Sequence, residues 1–132
     1  MKLKIDDTFS VNKEVTDELI RKFADVSGDR NPIHLDEEFA KKTRFGKRIA
    51  HGMLTASFIS AVLGYELSVR KVVYLGQTLK FKHPTYIGDT VTAKGTVIKI
   101  RPDKPIITIE TICTNQDGVV LIEGEATLML LD

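Results

Sequence analysis

Residues 51–67 place the tightest limit on what this chain can fold into. Met53, Leu54, Ala56, Phe58, Ile59, Ala61, Val62, Leu63 and Leu67 are apolar, and no charge interrupts the run until Glu66. On a helix these side chains occupy nearly every side of the rod, which predicts burial all round instead of along one stripe. At 1.5 Å per residue such a helix is roughly 24 Å long, about the width of a small sheet. Something in the chain has to wrap it.

The wrapper follows in sequence. Val73, Leu75, Leu79 and Phe81 alternate with Tyr74, Thr78, Lys80 and Lys82, and further alternating runs cover residues 90–100, 106–114 and 119–131. These four expected strands are separated by turn chemistry at Ile87-Gly88-Asp89, Arg101-Pro102-Asp103-Lys104-Pro105 and Asn115-Gln116-Asp117-Gly118, which suits antiparallel neighbours. With a short strand around residues 8–11, the pattern predicts an α+β fold in which a curved antiparallel sheet of about five strands wraps one long central helix. No repeat, low-complexity tract or Pro/Gly/Ser linker divides the sequence, so residues 1–132 are expected to form a single domain.

Between the first strand and the long helix lie shorter elements. Thr16 is placed to N-cap a helix whose first turn carries Asp17 and Glu18 at the positive end of the dipole, with Leu19, Ile20, Phe23 and Ala24 on one face. Gly28 suits the left-handed position that ends it. Asp36 is expected to cap a second short helix running through Lys42, with Phe39 and Ala40 turned inward.

The chemistry sits where those elements meet. Asp29-Arg30-Asn31-Pro32-Ile33-His34 brings a carboxylate and an imidazole into one segment, where both can address one water. Pro32 fixes its own φ and pushes Asn31 out of the helical region, so the segment reads as an extended loop. Taken singly, each residue has a plain structural role: Asp29 seeds a turn, Asn31 precedes a proline, and His34 packs between Ile33 and Leu35. Their coincidence within seven residues, followed by Ala50-His51-Gly52-Met53, favours function. Together these residues resemble the Gly-Asp-x-Asn-Pro-[Ile/Leu]-His and His-Gly-Met signature of the MaoC-like (R)-specific enoyl-CoA hydratases. The likeness extends over nearly the whole chain, including Tyr74-Leu75-Gly76-Gln77 and Gly88-Asp89-Thr90-Val91.

The resemblance implies the hot-dog fold and reversible hydration of a trans-2-enoyl-CoA to an (R)-3-hydroxyacyl-CoA. Asp29 and His34 are then the catalytic pair holding one water, and Gly52 supplies an amide to the thioester oxygen at the start of the long helix. His51 either touches substrate or is simply the first residue of that helix, and Asn31 either orients a catalytic side chain or sustains the turn. Ser60, one turn beyond Ser57 on the oily helix, is expected at the acyl pocket or bonded to its own preceding turn. Lys41-Lys42-Thr43-Arg44-Phe45-Gly46-Lys47-Arg48 holds five cations in eight residues. A phosphate-rich acyl-CoA thioester suits that position, with Arg44 or Arg48 as planar forks.

Composition excludes several other classes. The 132 residues carry 19 basic and 18 acidic side chains, a net charge of +1, which supplies no global field for a nucleic acid or membrane surface. No run approaches the ~20 apolar residues of a membrane span, and Met1-Lys2-Leu3-Lys4-Ile5-Asp6-Asp7 contains no signal-peptide core. Cys113, the only cysteine, cannot form an internal disulfide, so a cytoplasmic location is expected. The spacing of Asp29, His34, Asp36 and His51 matches no strong zinc pattern, and no metal or separate cofactor is expected. A chain this short is poorly able to close a tunnel around an extended thioester, and the resemblance implies a homodimer built edge to edge. A hot-dog acyl-CoA thioesterase, an acyl-carrier-protein dehydratase and a non-catalytic acyl-CoA-binding subunit are the alternatives on the same fold.

Overall fold

A computed structural model describes residues 3–131; Met1 and Lys2 of the polar N-terminus, and Asp132, lie outside that range. Strand β1 (Thr8–Glu14) leads into helix α1 (Asp17–Ser27). Two short helices follow, α2 (Pro32–Leu35) and α3 (Glu37–Lys41), and then the apolar helix α4 (Gly52–Ala61), which continues as a π-helical turn over Val62–Glu66. The chain then forms β2 (Val72–Gln77), β3 (Lys80–Phe81), β4 (Thr90–Ile100), β5 (Ile106–Thr114) and β6 (Val120–Leu130).

One antiparallel sheet takes in all the strands, in the order β1-β4-β5-β6-β2, with β3 also paired to β6. The tight turns between the last three strands make β4-β5-β6 a meander, and the two early strands flank it. Alternation along the meander turns Val91, Ala93, Val97, Ile107, Ile109, Cys113, Ala126 and Leu128 inward, all of them buried. Against them pack Leu54, Phe58, Ile59, Val62 and Leu63 of the helix and its π turn. The core is therefore the helix-to-sheet contact that the apolar run demanded.

Several expectations change. The central helix is not buried all round: Met53 is 55 % exposed and Tyr65 68 %, and Ser57, Ser60, Ala61 and Gly64 are exposed along the same side. The chain's own sheet covers only the opposite side. Phe39 is 46 % exposed, whereas Ala40 beside it is buried, so α3 turns in only its small residue.

The strand expected over residues 73–82 is broken in two, which raises the strand count from about five to six. Thr78 makes the break. Its backbone amide donates to the Glu125 carbonyl at 2.9 Å and its hydroxyl accepts from the Glu125 amide at 2.9 Å, so the side chain takes over one rung of the ladder. Opposite it, a Cβ on Gly124 would lie 1.9 Å from the Thr78 carbonyl oxygen, a distance only glycine allows.

Candidate active site

The segment carrying Asp29 begins where α1 ends. Thr16 caps the start of that helix, its hydroxyl accepting from the Leu19 amide at 3.1 Å, and Gly28 ends it at φ +81°, the left-handed region that favours glycine. The chain therefore turns sharply into Asp29. Asn31 holds the extended conformation its proline neighbour requires, but the chain does not stay extended. Pro32 opens α2, where its missing N–H is no loss, and the Asn31 carboxamide oxygen accepts from the Ile33 amide at 3.1 Å. His34 thus sits on a helical turn instead of the expected loop. The Asn31 side chain thus sustains the turn, while its backbone amide donates to Asp29 Oδ1 at 3.2 Å.

A second segment, residues 48–51, laces this turn in place. The Ile49 amide donates to the Ile33 carbonyl at 3.3 Å, and the Arg48 Nε donates to the His34 carbonyl at 2.7 Å. His34 Nδ1 lies 2.8 Å from the Ile49 carbonyl, and His51 Nε2 lies 2.9 Å from the Asp29 carbonyl. A carbonyl only accepts, so both of these ring nitrogens carry protons. His34 keeps a lone pair on Nε2. His51 Nδ1 is a buried atom with no hydrogen-bond partner among the described residues. Residues 48–51 are anchored in turn by the Ala50 amide, which donates to Thr85 O at 2.7 Å, and by the bridge between Ile49 and Tyr86.

These contacts bring Asp29, His34 and His51 together, with one side-chain ligand atom from each within 4.8 Å of the others. Asp29 is exposed, His34 is buried at the edge of the site, and His51 is only 2 % exposed. The imidazoles stack, and the Phe23 ring meets His51 at 4.9 Å. Burial, reinforced by the nearby His51 and Arg48, holds the His34 pKa below its ordinary value of 6.5, against the opposing pull of the Ile49 hydrogen bond and the Asp29 charge. His34 is therefore a neutral imidazole at neutral pH. A carboxylate beside such a lone pair can polarise a water and take its proton, and the same three side chains offer one oxygen and two nitrogens to a cation.

Gly52 opens α4 directly after His51, and its amide has no acceptor among the described residues. It adjoins a cleft of about 310 Å³ that includes Arg44, Phe81, Lys82 and His83 in its wall. A Cβ at Gly52 would lie 2.7 Å from the Phe81 ring, so the missing side chain is what lets the ring close over the helix start. On the other side of the helix start, Met53, Ala56, Ser57 and Ser60 face Phe23, Tyr74 and Leu79 across an apolar groove of about 470 Å³. Ser60 thus lines a groove, while Ser57 bonds back to the Leu54 carbonyl at 2.6 Å.

The basic run divides. Arg44 lines the cleft, its guanidinium 5.1 Å from the Phe45 ring. Arg48 does not fit the expected role of a phosphate fork: its side chain is 10 % exposed, and Nη2 meets Asp17 Oδ1 at 2.5 Å while Nε holds His34. Likewise His51 is too deeply buried to be the substrate contact that was one of its two expected roles. Sequence reasoning missed the parts played by Asp17, Phe23, Ile49 and Phe81. Ile49 acts through its carbonyl, which no side-chain pattern advertises, and Asp17 read only as a helix-dipole partner.

Comparison with known proteins identifies the family. A family model described as "MaoC like domain" matches residues 4–116, a span that takes in both laced segments. An (R)-specific enoyl-CoA hydratase of Rhodospirillum rubrum is 50 % identical over 121 residues, 92 % of this chain and 83 % of that protein. A 3-hydroxybutyryl-CoA dehydratase of Methylorubrum extorquens is 45 % identical over 124 residues, 94 % of this chain and 78 % of its own. Among solved structures, the (R)-hydratase from A. caviae involved in PHA biosynthesis superposes with a TM-score of 0.95 at 41 % identity, covering 98 % of each chain. The helix wrapped by an antiparallel sheet is the hot-dog fold, and with the family model running through the whole of the site, this chain belongs to the MaoC-like domain family.

Proposed function

We propose that this protein is an (R)-specific enoyl-CoA hydratase, adding water reversibly to a trans-2-enoyl-CoA to give an (R)-3-hydroxyacyl-CoA. The observation that carries the reading is the convergence of the Asp29 carboxylate and a neutral His34 within 4.8 Å, beside a helix start whose Gly52 amide is unclaimed. Relatives with this activity in their names support it.

Water is held between Asp29 and His34 Nε2 and gives up a proton to that pair as its oxygen bonds to C3. The C2=C3 π pair moves toward the thioester, whose oxygen gains charge and takes the Gly52 N–H. The pair then delivers a proton to C2, which completes the addition and regenerates the site. Positioned acid–base groups contribute ~10²- to 10⁴-fold, and one oxyanion donor is worth ~10²- to 10³-fold. The balance needs only water and the substrate's own thioester, so no separate cofactor is required. The acyl chain occupies the Phe23–Met53–Ser60 groove, and Arg44, with Lys82 and His83 beside it, meets the phosphate-bearing arm.

The functional unit is a homodimer. β2 is an edge strand on which Val73, Tyr74 and Leu75 are exposed, and the groove it shares with α4 opens to the same side. A second copy paired along that edge covers both the apolar strand and the groove. A cytoplasmic location suits the single buried thiol of Cys113, and no described helix is long and apolar enough to cross a membrane.

Incubation with crotonyl-CoA and butyryl-CoA tests the reaction. Loss of the enoyl absorbance without release of thiol is the expected outcome. Thiol release from either substrate identifies a thioesterase, and binding without turnover identifies a non-catalytic subunit.

A further inference from the structure

The His34 carbonyl is held by a residue outside the recognised motif. Arg48 reaches across from residues 48–51 and donates Nε to the His34 carbonyl at 2.7 Å. Its Nη2 meets Asp17 Oδ1 at 2.5 Å, and the other oxygen of that carboxylate is taken by Arg21 Nε at 2.9 Å. Asp17 sits in the first turn of α1, the helix whose far end delivers Asp29. The guanidinium therefore connects the base of that helix to the turn carrying the imidazole, from a nearly buried position.

We propose that Arg48 is a positioning residue for catalysis, which sets His34 relative to Asp29 by bridging the His34 carbonyl to Asp17. The inference rests on the hydratase reading for its rate effect, but its geometric content does not. A flat fork is needed for it: two donors on one rigid plane satisfy a carbonyl and a carboxylate at once, which a lysine ammonium cannot do at the same spacing. Without the bridge His34 keeps its Ile49 contact, but its backbone loses the tie to α1. The charged and titratable groups facing His34 are Asp29, His51 and Arg48 itself, the last paired with the half-exposed Asp17.

The test compares Arg48→Met, Arg48→Lys and Asp17→Asn with wild type in the hydration of crotonyl-CoA, alongside NMR titration of the His34 ring. Misplacement of a catalytic group by about 1 Å costs on the order of 100-fold. Arg48→Met is therefore expected to lose roughly 10- to 100-fold in kcat with KM changed less than two-fold, and its His34 pKa should rise because a nearby positive charge is gone. Arg48→Lys keeps that charge, so the His34 titration should stay near wild type while kcat remains depressed. Asp17→Asn should fall between the two in rate. Wild-type kcat in any folded Arg48 variant overturns the proposal, as does a loss confined to KM or to melting temperature. Should Arg48→Met not fold, the lysine and Asp17 variants decide alone. An inactive wild type refutes the hydratase reading, and an unmoved His34 titration in folded Arg48→Met separately refutes the coupling.

Discussion

His34 and His51 stack with their ring centroids 3.9 Å apart and 29° between their planes. Each ring gives one N–H to a backbone carbonyl, His34 to Ile49 and His51 to Asp29. Burial holds the His34 member of the stack neutral at neutral pH. The His51 ring fixes the backbone of Asp29.

Asp29→Asn is expected to lower kcat by about 10²- to 10⁴-fold with little change in melting temperature, since the carboxylate is exposed. His34→Ala should match that loss but also destabilise the fold, by about 1–3 kcal/mol, because it leaves the Ile49 carbonyl and the buried face of His51 uncovered. The double variant should lose far less than the sum of the single losses, because both residues serve one water. Steady-state kinetics with denaturant melts checks all three, and near-normal turnover in folded Asp29→Asn excludes the assigned pair.

The acid side of the pH profile follows from the direction of the His34 shift. Its folded pKa lies below the ordinary 6.5, so the folded state binds fewer protons there than the unfolded chain. Stability is therefore penalised as pH falls below 6.5, and the penalty levels off beneath the folded value. Asp17 acts in a lower window. Hydrogen bonds from Arg48 and Arg21 hold its pKa below the ordinary 3.8, so its contribution is full above that value and is lost as pH falls through the folded one. The acid limb of kcat/KM should accordingly lie below pH 6.5; a limb above it contradicts a neutral His34.

Gly52→Ala separates sterics from hydrogen bonding. The added methyl meets the Phe81 ring at 2.7 Å and should cost about 1–3 kcal/mol along with activity. Combining it with Phe81→Ala removes the obstruction. Stability relative to Phe81→Ala should recover, and activity should recover with it only if the amide can still reach the thioester oxygen.

The basic run offers a sharper contrast than the sequence suggested. Arg44→Ala should raise KM for a CoA thioester more than for a pantetheine thioester without the nucleotide phosphates. Arg48 variants should not discriminate between the two substrates. An equal effect of Arg44→Ala on both removes it from the phosphate site.

Light scattering of the wild type should report a dimer, and Val73→Asp with Leu75→Asp should give an inactive monomer. A fully active 14.8 kDa species at assay concentration rules out the shared-edge assembly.

The helix and the meander were legible because periodicity of 3.6 and of 2 is written in side chains that bury themselves. Asp29, His34 and Gly52 were singled out through a motif, and the structure brings the first two together. The sequence did not disclose which side of the apolar helix stays open, since Met53 and Tyr65 are as oily as Leu54 and Leu63, and only the reach of the sheet separates them. Nor did it disclose the work of Arg48. A cation among cations reads as surface until the fold shows it wedged between a carboxylate and a carbonyl 14 residues upstream. The split between β2 and β3 escaped for a similar reason: a threonine hydroxyl replaced a backbone rung, and no alternation pattern records that.

The lacing of residues 48–51 onto the Asp29–His34 turn runs through hydrogen bonds that lie outside the helix-to-sheet core. Opening them leaves the sheet's own ladders intact, so the site is expected to open with a lower free energy than the sheet. Amide exchange at Ile49 and His34 then runs ahead of exchange at Ile109 and Leu128 under native conditions. The enzyme can lose its chemistry to heat or mild denaturant while its sheet still wraps its helix.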